Sequence, residues 1–304
     1  MGTYGCLAPI RQYYYGTYGC QVSISAVITY SLDAGPSVCR VVCLTIPPLP
    51  AILPTMGRPL RYSYAGAYHH VALRCNNREF QFDEPELFQR LLAFLGDARR
   101  VHGFRLFDYC LMTNHFHIVI QVPTDDALSR AMHDVANRFS RWFNATRARC
   151  GHLWEGRFRS TVIEAESYLL EALLYVDLNP TSAGLISEPW AWPWSGCAHL
   201  ACGEPNPLLD QDPLYLALGA SPEQCQRAYR SHLAERIAAG QLRSIPELSE
   251  GLFVGTPAFI ESLCDRFGGR LSLPRTRVTP LGQGVVALAR AGRGGHRTST
   301  ARRR

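Results

Sequence analysis

Thr113-Asn114-His115-Phe116-His117-Ile118-Val119-Ile120 is the stretch on which the fold turns. Side chains alternate between the two faces of a strand. His115 and His117 therefore share one face, and Phe116 and Ile118 share the other. Two imidazoles on one face of a stiff strand make a clamp for a divalent metal, since imidazole suits several such ions. Further on, Tyr175 and Asn179 stand four residues apart. On a helix that spacing gives a shared face, with Cα atoms ~6 Å apart, so a phenol and an amide oxygen can approach one metal together. A His-x-His pair by itself is weak evidence, because a half-buried sheet face produces the same pattern. The flanking residues carry more weight.

Working outward, the periodicity predicts strand, helix, strand, strand, helix, strand, helix. Residues 68–74 read as a strand. Residues 85–101 read as a helix with Leu87, Phe88, Leu91, Leu92 and Leu95 on its apolar face. Segments 105–111 and 115–122 form a hairpin around Met112-Thr113-Asn114. A long helix starts at Asp125-Asp126, with acids at its positive end as the macrodipole prefers, and runs to about Arg149. Segment 158–163 is a short strand. Segment 164–178 is the helix that carries Tyr175, halted by Pro180, which also pushes Asn179 out of helical geometry. The order predicts an α+β fold with a small antiparallel sheet and helices on one face. Segments 222–240 and 244–267 read as further helices, a C-terminal helical extension over 201–280.

The chain has 304 residues, enough for one large or two modest domains. Every basic residue except histidine is arginine, and the net charge is +6. That charge is not uniform: from Arg266 to the end there are ten arginines and no acids, leaving 21 against 25 elsewhere, a net −4. Residues 281–304 read as a disordered Arg-rich tail. Residues 1–55 hold only three charged groups, Arg11, Asp33 and Arg40, and repeat Gly-Thr-Tyr-Gly-Cys. They read as a non-native or disordered extension, with translation expected to start at Met56. Eleven cysteines without a Cys-x-x-Cys pair fit reduced intracellular thiols and a cytoplasmic protein. Cys197 and Cys202 lack histidine partners at zinc-finger spacing. No uninterrupted apolar run reaches membrane-spanning length.

Motifs in order from Arg58 to about Leu200 carry a resemblance. They are Arg58-Pro59-Leu60-Arg61, Gly66-Ala67-Tyr68-His69-His70-Val71, Arg74-Cys75-Asn76-Asn77-Arg78-Glu79 and Met112-Thr113-Asn114-His115-Phe116-His117. Then follow Gly151-His152-Leu153-Trp154-Glu155-Gly156-Arg157-Phe158, Tyr175-Val176-Asp177-Leu178-Asn179-Pro180, Ala183-Gly184-Leu185 and Trp192-Pro193-Trp194-Ser195. The series resembles the REP-associated tyrosine transposases, single-tyrosine members of the HUH endonuclease superfamily. The resemblance implies a ferredoxin-like domain over 56–200. It implies His115, His117 and Asn179 as ligands of Mg²⁺ or Mn²⁺ and Tyr175 as the nucleophile. The implied partner is single-stranded, hairpin-forming palindromic DNA, and the product a 5′-phosphotyrosine with a free 3′-hydroxyl. Two departures stand out: Thr113 where proline is usual, and Thr181-Ser182 where Val-Arg is usual.

Arg138, Arg141, Arg147, Arg149, Arg157 and Arg159, interleaved with Phe139, Trp142, Phe143, Trp154 and Phe158, are the candidate DNA-binding surface. Arginine engages phosphates bidentately and aromatic rings stack on unpaired bases; Phe139 and Phe143, four apart, also suit the core side of a helix. His69 and His70 alternate faces, so at most one approaches the metal, and packing explains them as well. The expected activity is a metal-dependent DNA transesterase acting as monomer or homodimer. Its rivals are a catalytically vestigial repeat-DNA-binding regulator and a replication-initiator nickase. The lack of a P-loop signature argues against the nickase.

Overall fold

The alternating runs Tyr68–Arg74, Arg105–Leu111, His115–Gln121 and Arg159–Ile163 form strands β1 to β4. They pair antiparallel in the order β2-β3-β1-β4, which puts the histidine strand β3 inside the sheet. The computed structural model describes residues 61–242, 245, 247–248, 251–268, 276–282 and 284–290. The expected N-terminal extension 1–55, the start at Met56 and the tail beyond 290 lie outside the described residues. Helix α1 (Pro85–His102) links β1 to β2, and α2 (Ala127–Thr146) links β3 to β4. Each crossover skips one antiparallel strand. That is the expected ferredoxin-like plan, and the fold class is α+β.

Helix α1 opens on a proline at its first turn and buries Leu87, Phe88, Leu91 and Leu95. It ends where Gly103 takes the left-handed conformation, φ 68°, and donates its N–H to the Arg99 carbonyl. Helix α2 buries Leu128, Ala131, Met132, Val135, Phe139 and Phe143 along one stripe. Both helices cover the sheet face that carries Leu73, Phe116, Ile118 and Ile120. Burial settles the double reading of Phe139 and Phe143: both are core.

The expectation of helices on one face only is corrected. A second apolar cluster fills the histidine face, where Phe107, Cys110, Val119 and Ile163 meet α3 (Ala165–Asp177), α5 (Cys197–Cys202) and α7 (Pro222–Ala238). The reason lies in α3, which buries Tyr168, Leu169, Ala172, Leu173, Leu174 and Val176 around most of its circumference. A helix apolar on so many sides needs partners above and below it. Short helical turns α4 (Asn179–Ser182) and α6 (Pro213–Leu216) connect these elements.

The C-terminal part departs further from expectation. Gly251–Gly255 is not helical but a strand, β5, parallel to β4. Helix α8 (Pro257–Phe267) follows, its first turn capped by Thr256 accepting from the Phe259 N–H. Thr276–Gly282 (β6) and Val285–Arg290 (β7) then extend one seven-stranded sheet in the order β4-β5-β7-β6. The assignment of 281–304 to a disordered tail is therefore wrong for Val285–Arg290. Val285, Ala287, Leu288 and Ala289 are buried against the sheet, which outweighs the surrounding Arg and Gly bias. Likewise, the extension over 201–280 is not all helical. Among the described residues no helix is long and apolar enough to cross a membrane.

A buried acid pair sits where β2, α3, α5 and α7 meet. Asp108 accepts from the Tyr109 N–H at 2.7 Å, and Asp177 accepts from the Tyr229 hydroxyl at 2.8 Å. Asp108 Oδ2 and Asp177 Oδ1 have no other donor, so one proton shared between the two carboxyls satisfies both. Burial raises both acids, Asp177 to about 7 and Asp108 well above its usual value, where the neighbouring Asp177 adds to the rise. A folded pKa raised above the unfolded one gives stability that is complete below about pH 4 and lost as pH climbs towards 7. Asp108→Asn supplies an N–H in place of the shared proton. It is expected to flatten the fall in Tm between pH 5 and 8 and to stabilise the protein by about 1–3 kcal/mol at pH 8. Thermal melts across that range check it; a profile parallel to the wild type contradicts it.

Candidate metal and phosphate site

Cross-strand register builds the site. Pairing of β1 with β3 sets His117 opposite Ala72 and His115 opposite Arg74. Pairing of β1 with β4 sets Ala72 opposite Arg159 and His70 opposite Thr161. Directly opposed residues share a face, so His70, Arg74, His115, His117 and Arg159 all lie on the face covered by α3. The Tyr175 ring stands edge-on to His117, centroids 5.5 Å apart at 84°, and to His70, 5.6 Å apart at 76°. The sheet and helix thus bring three of the expected chemical residues, His115, His117 and Tyr175, to one place.

Two cavities flank them. One, about 190 Å³, is lined by Arg74, His115, His117, Glu155, Arg157 and Arg159. The other is smaller and holds Tyr175 with Glu171, Arg236, Leu242 and Ile245. Tyr175 does not line the arginine-rich cavity. Arg157 and Arg159 do. Arg138, by contrast, pairs with Asp97 at 2.7 Å and ties α2 to α1, and Arg147 pairs with Asp83 at 2.7 Å and Glu84 at 3.1 Å. Arg149 donates to Gln81. Arg138, Arg141, Arg147 and Arg149 do not line the cavity.

The hydrogen bonds fix which nitrogens the histidines present. Asn114 donates its amide to the Arg78 carbonyl at 3.0 Å, which turns Oδ1 towards His115 Nδ1 at 2.6 Å. The amide oxygen only accepts, so His115 carries its proton on Nδ1 and keeps Nε2 bare. Arg78 and the preceding Asn77 are held left-handed, φ 57° and 54°. Two such non-glycine residues in succession store strain in the loop that braces the site. On His117, Nδ1 lies 2.9 Å from His70 Nε2, which leaves its Nε2 as well. Burial, then the Arg74 guanidinium, pulls His115 down to about 4. Burial first, then His115, His70 and Arg74, holds His117 well below the ordinary imidazole range. Both rings are neutral at pH 7, as metal ligation requires.

Asn179 corrects one expectation. It is not pushed out of helical geometry but opens the turn α4. Pro180 cannot donate to the Val176 carbonyl, and the Asn179 side chain compensates: Nδ2 donates to Tyr175 O at 2.7 Å and to Val176 O at 3.3 Å. Only Oδ1 remains as a donor atom for an ion. Thr181, at the first departure position after the proline, has a buried hydroxyl without a partner.

Among the described residues no group of three His, Cys, Asp or Glu side chains is arranged to hold a metal. The fit is therefore to an ion with two imidazoles, His115 and His117 with centroids 5.0 Å apart, its other positions left to an amide oxygen, water or phosphate. That set suits a Lewis-acid ion that must also bind substrate oxygens. Sequence reading missed Arg74 and Asn114 and left His70 undecided against His69. Adjacency to His115 was a signal for Asn114; the other two depend on register.

Residues 63–177 match a family model described as "Transposase IS200 like". No curated protein sequence matches the chain. Among solved structures, the REP-associated tyrosine transposase bound to a REP hairpin is similar at 19% identity, covering 52% of this chain and 93% of that one, TM-score 0.43. A candidate transposase from Deinococcus radiodurans is similar at 20% identity, covering 36% of this chain and 85% of that one, TM-score 0.26. Over residues 63–177, then, the chain is similar to the IS200-like transposases.

Proposed function

We propose that this protein is a single-tyrosine DNA transposase of the REP-associated kind, cleaving and rejoining single strands beside a hairpin. One observation carries the reading: two histidines with bare Nε2 atoms share a cavity with three arginines, and Tyr175 packs on one of those histidines. Guanidinium groups bind phosphate bidentately, so Arg74, Arg157 and Arg159 would seat a backbone phosphate against His115 and His117. A bound Mg²⁺ or Mn²⁺ on His115, His117 and Asn179 Oδ1 would polarise that phosphate and offset charge developing on it. The Tyr175 oxygen then attacks phosphorus. The new bond joins it to the 5′-phosphate, the bond to the 3′-oxygen breaks, and the phenol proton leaves to solvent while the 3′-oxygen is protonated. One phosphodiester replaces another, so a free 3′-hydroxyl reverses the step without an added energy source.

A repeat-binding regulator without catalysis is the second reading, favoured by Tyr175 lining the smaller cavity and not the arginine-rich one. End-labelling separates the two. A single-stranded hairpin oligonucleotide labelled at its 3′ end should leave its label on the protein after denaturation in Mn²⁺. The same strand labelled at its 5′ end should release a shorter labelled fragment. Hairpin binding without either product supports the regulator.

A further inference from the structure

We propose that His70 is a positioning residue that relays the Leu248 carbonyl to His117 and so fixes the nitrogen His117 offers to a metal. The inference rests on the metal-site reading above, but its geometry stands in the protein alone. His70 Nδ1 lies 2.8 Å from Leu248 O, and His70 Nε2 lies 2.9 Å from His117 Nδ1. The rings are stacked, 5.0 Å apart at 22°. Both are shut off from solvent, 0% and 3% exposed.

The direction of every bond in the chain follows from its main-chain end. A carbonyl oxygen only accepts, so His70 carries its proton on Nδ1. A neutral imidazole has one N–H, which makes His70 Nε2 an acceptor. His117 must then donate from Nδ1, and its one remaining lone pair is on Nε2. Both His70 nitrogens are used, so His70 is not itself a third ligand. Ligating histidines commonly donate their second ring N–H to an outer partner that fixes tautomer and ring orientation. Here that partner is another imidazole, which must itself be held by a group that cannot reverse.

Leu248 supplies that group from outside residues 63–177. Its carbonyl also accepts from Thr161 Oγ1 at 2.7 Å, and its side chain is buried. The C-terminal part thus does more than widen the sheet: it sets the orientation of a ligand on β3. His115 is oriented by a separate route, through Asn114 and the Arg78 carbonyl. Disturbing His70 should therefore affect His117 and spare His115.

The test uses the ¹⁵N-labelled full-length protein without metal, in which imidazole ¹H–¹⁵N correlations report the tautomer of each ring. In the wild type His70, His115 and His117 should all be protonated at Nδ1. His70→Phe keeps the ring packing but removes both polar atoms. In that variant His117 should lose its Nδ1–H form while His115 keeps it, and Mn²⁺ affinity measured by calorimetry should fall about 10- to 100-fold. His70→Gln can accept from His117 through its amide oxygen and donate to Leu248 through its amide nitrogen, so it should recover most of both. Thermal melts of each variant separate lost positioning from lost folding. The relay is overturned if metal-free wild-type His117 is protonated at Nε2, if His70→Phe binds Mn²⁺ as tightly as the wild type, or if added Zn²⁺ coordinates His70 directly. A wild type that binds no Mn²⁺ would remove the metal reading, while the metal-free spectrum still decides the relay.

Discussion

Tyr175→Phe is expected to abolish the denaturation-resistant protein–DNA adduct while leaving hairpin affinity within about twofold of the wild type. The substitution removes one oxygen and nothing else. The ring keeps its edge-on contacts with His70 and His117, and α3 keeps its buried face. A phenol has a pKa of about 10, so it becomes an effective nucleophile only where its oxygen meets a polarised phosphate. No phenylalanine atom replaces it. An adduct that persists in Tyr175→Phe places the nucleophile elsewhere and removes the role assigned to α3.

The second large effect belongs to the imidazoles. His117→Ala should reduce cleavage about 10³-fold or more, since several kcal/mol of charge stabilisation are lost and each 1.36 kcal/mol is tenfold in rate. EDTA should do the same to the wild type, with Mg²⁺ or Mn²⁺ restoring it and failing to restore the variant. His115→Ala should match His117→Ala, because the two rings share the cavity. Asn179→Ala should be milder, as water replaces a neutral amide, although its lost bond to Tyr175 O also loosens the end of α3. Cleavage undiminished in EDTA would remove the metal from the account.

Much of this was legible in the chain. Period-two alternation in β1 and β3, with the short Met112-Thr113-Asn114 turn, fixes a hairpin and puts both histidines on one face. The i, i+4 spacing carries Tyr175 and Asn179 on consecutive helical turns. What stayed hidden depends on distant partners. Gly251-Leu252-Phe253-Val254-Gly255 is a short apolar run, which periodicity cannot tell from helix until β4 and β7 claim it. Alternation shows that His69 and His70 part company but not which faces the site. That follows from His117, far along the chain, and from Leu248, further still. The ion pairs of Arg138 on α2 and Arg147 just after it were equally hidden, because their acids come from α1 and the loop before it. Asn179 deceived for a local reason: its side chain replaces the hydrogen bond that Pro180 cannot make.

The most direct test of the central claim is mass spectrometry of the denatured adduct, digested with protease and nuclease. The account predicts a nucleotide 5′-phosphate esterified to the Tyr175 oxygen, on the peptide that contains Val176-Asp177-Leu178-Asn179. A nucleotide on another side chain, or joined through a 3′-phosphate, would contradict it.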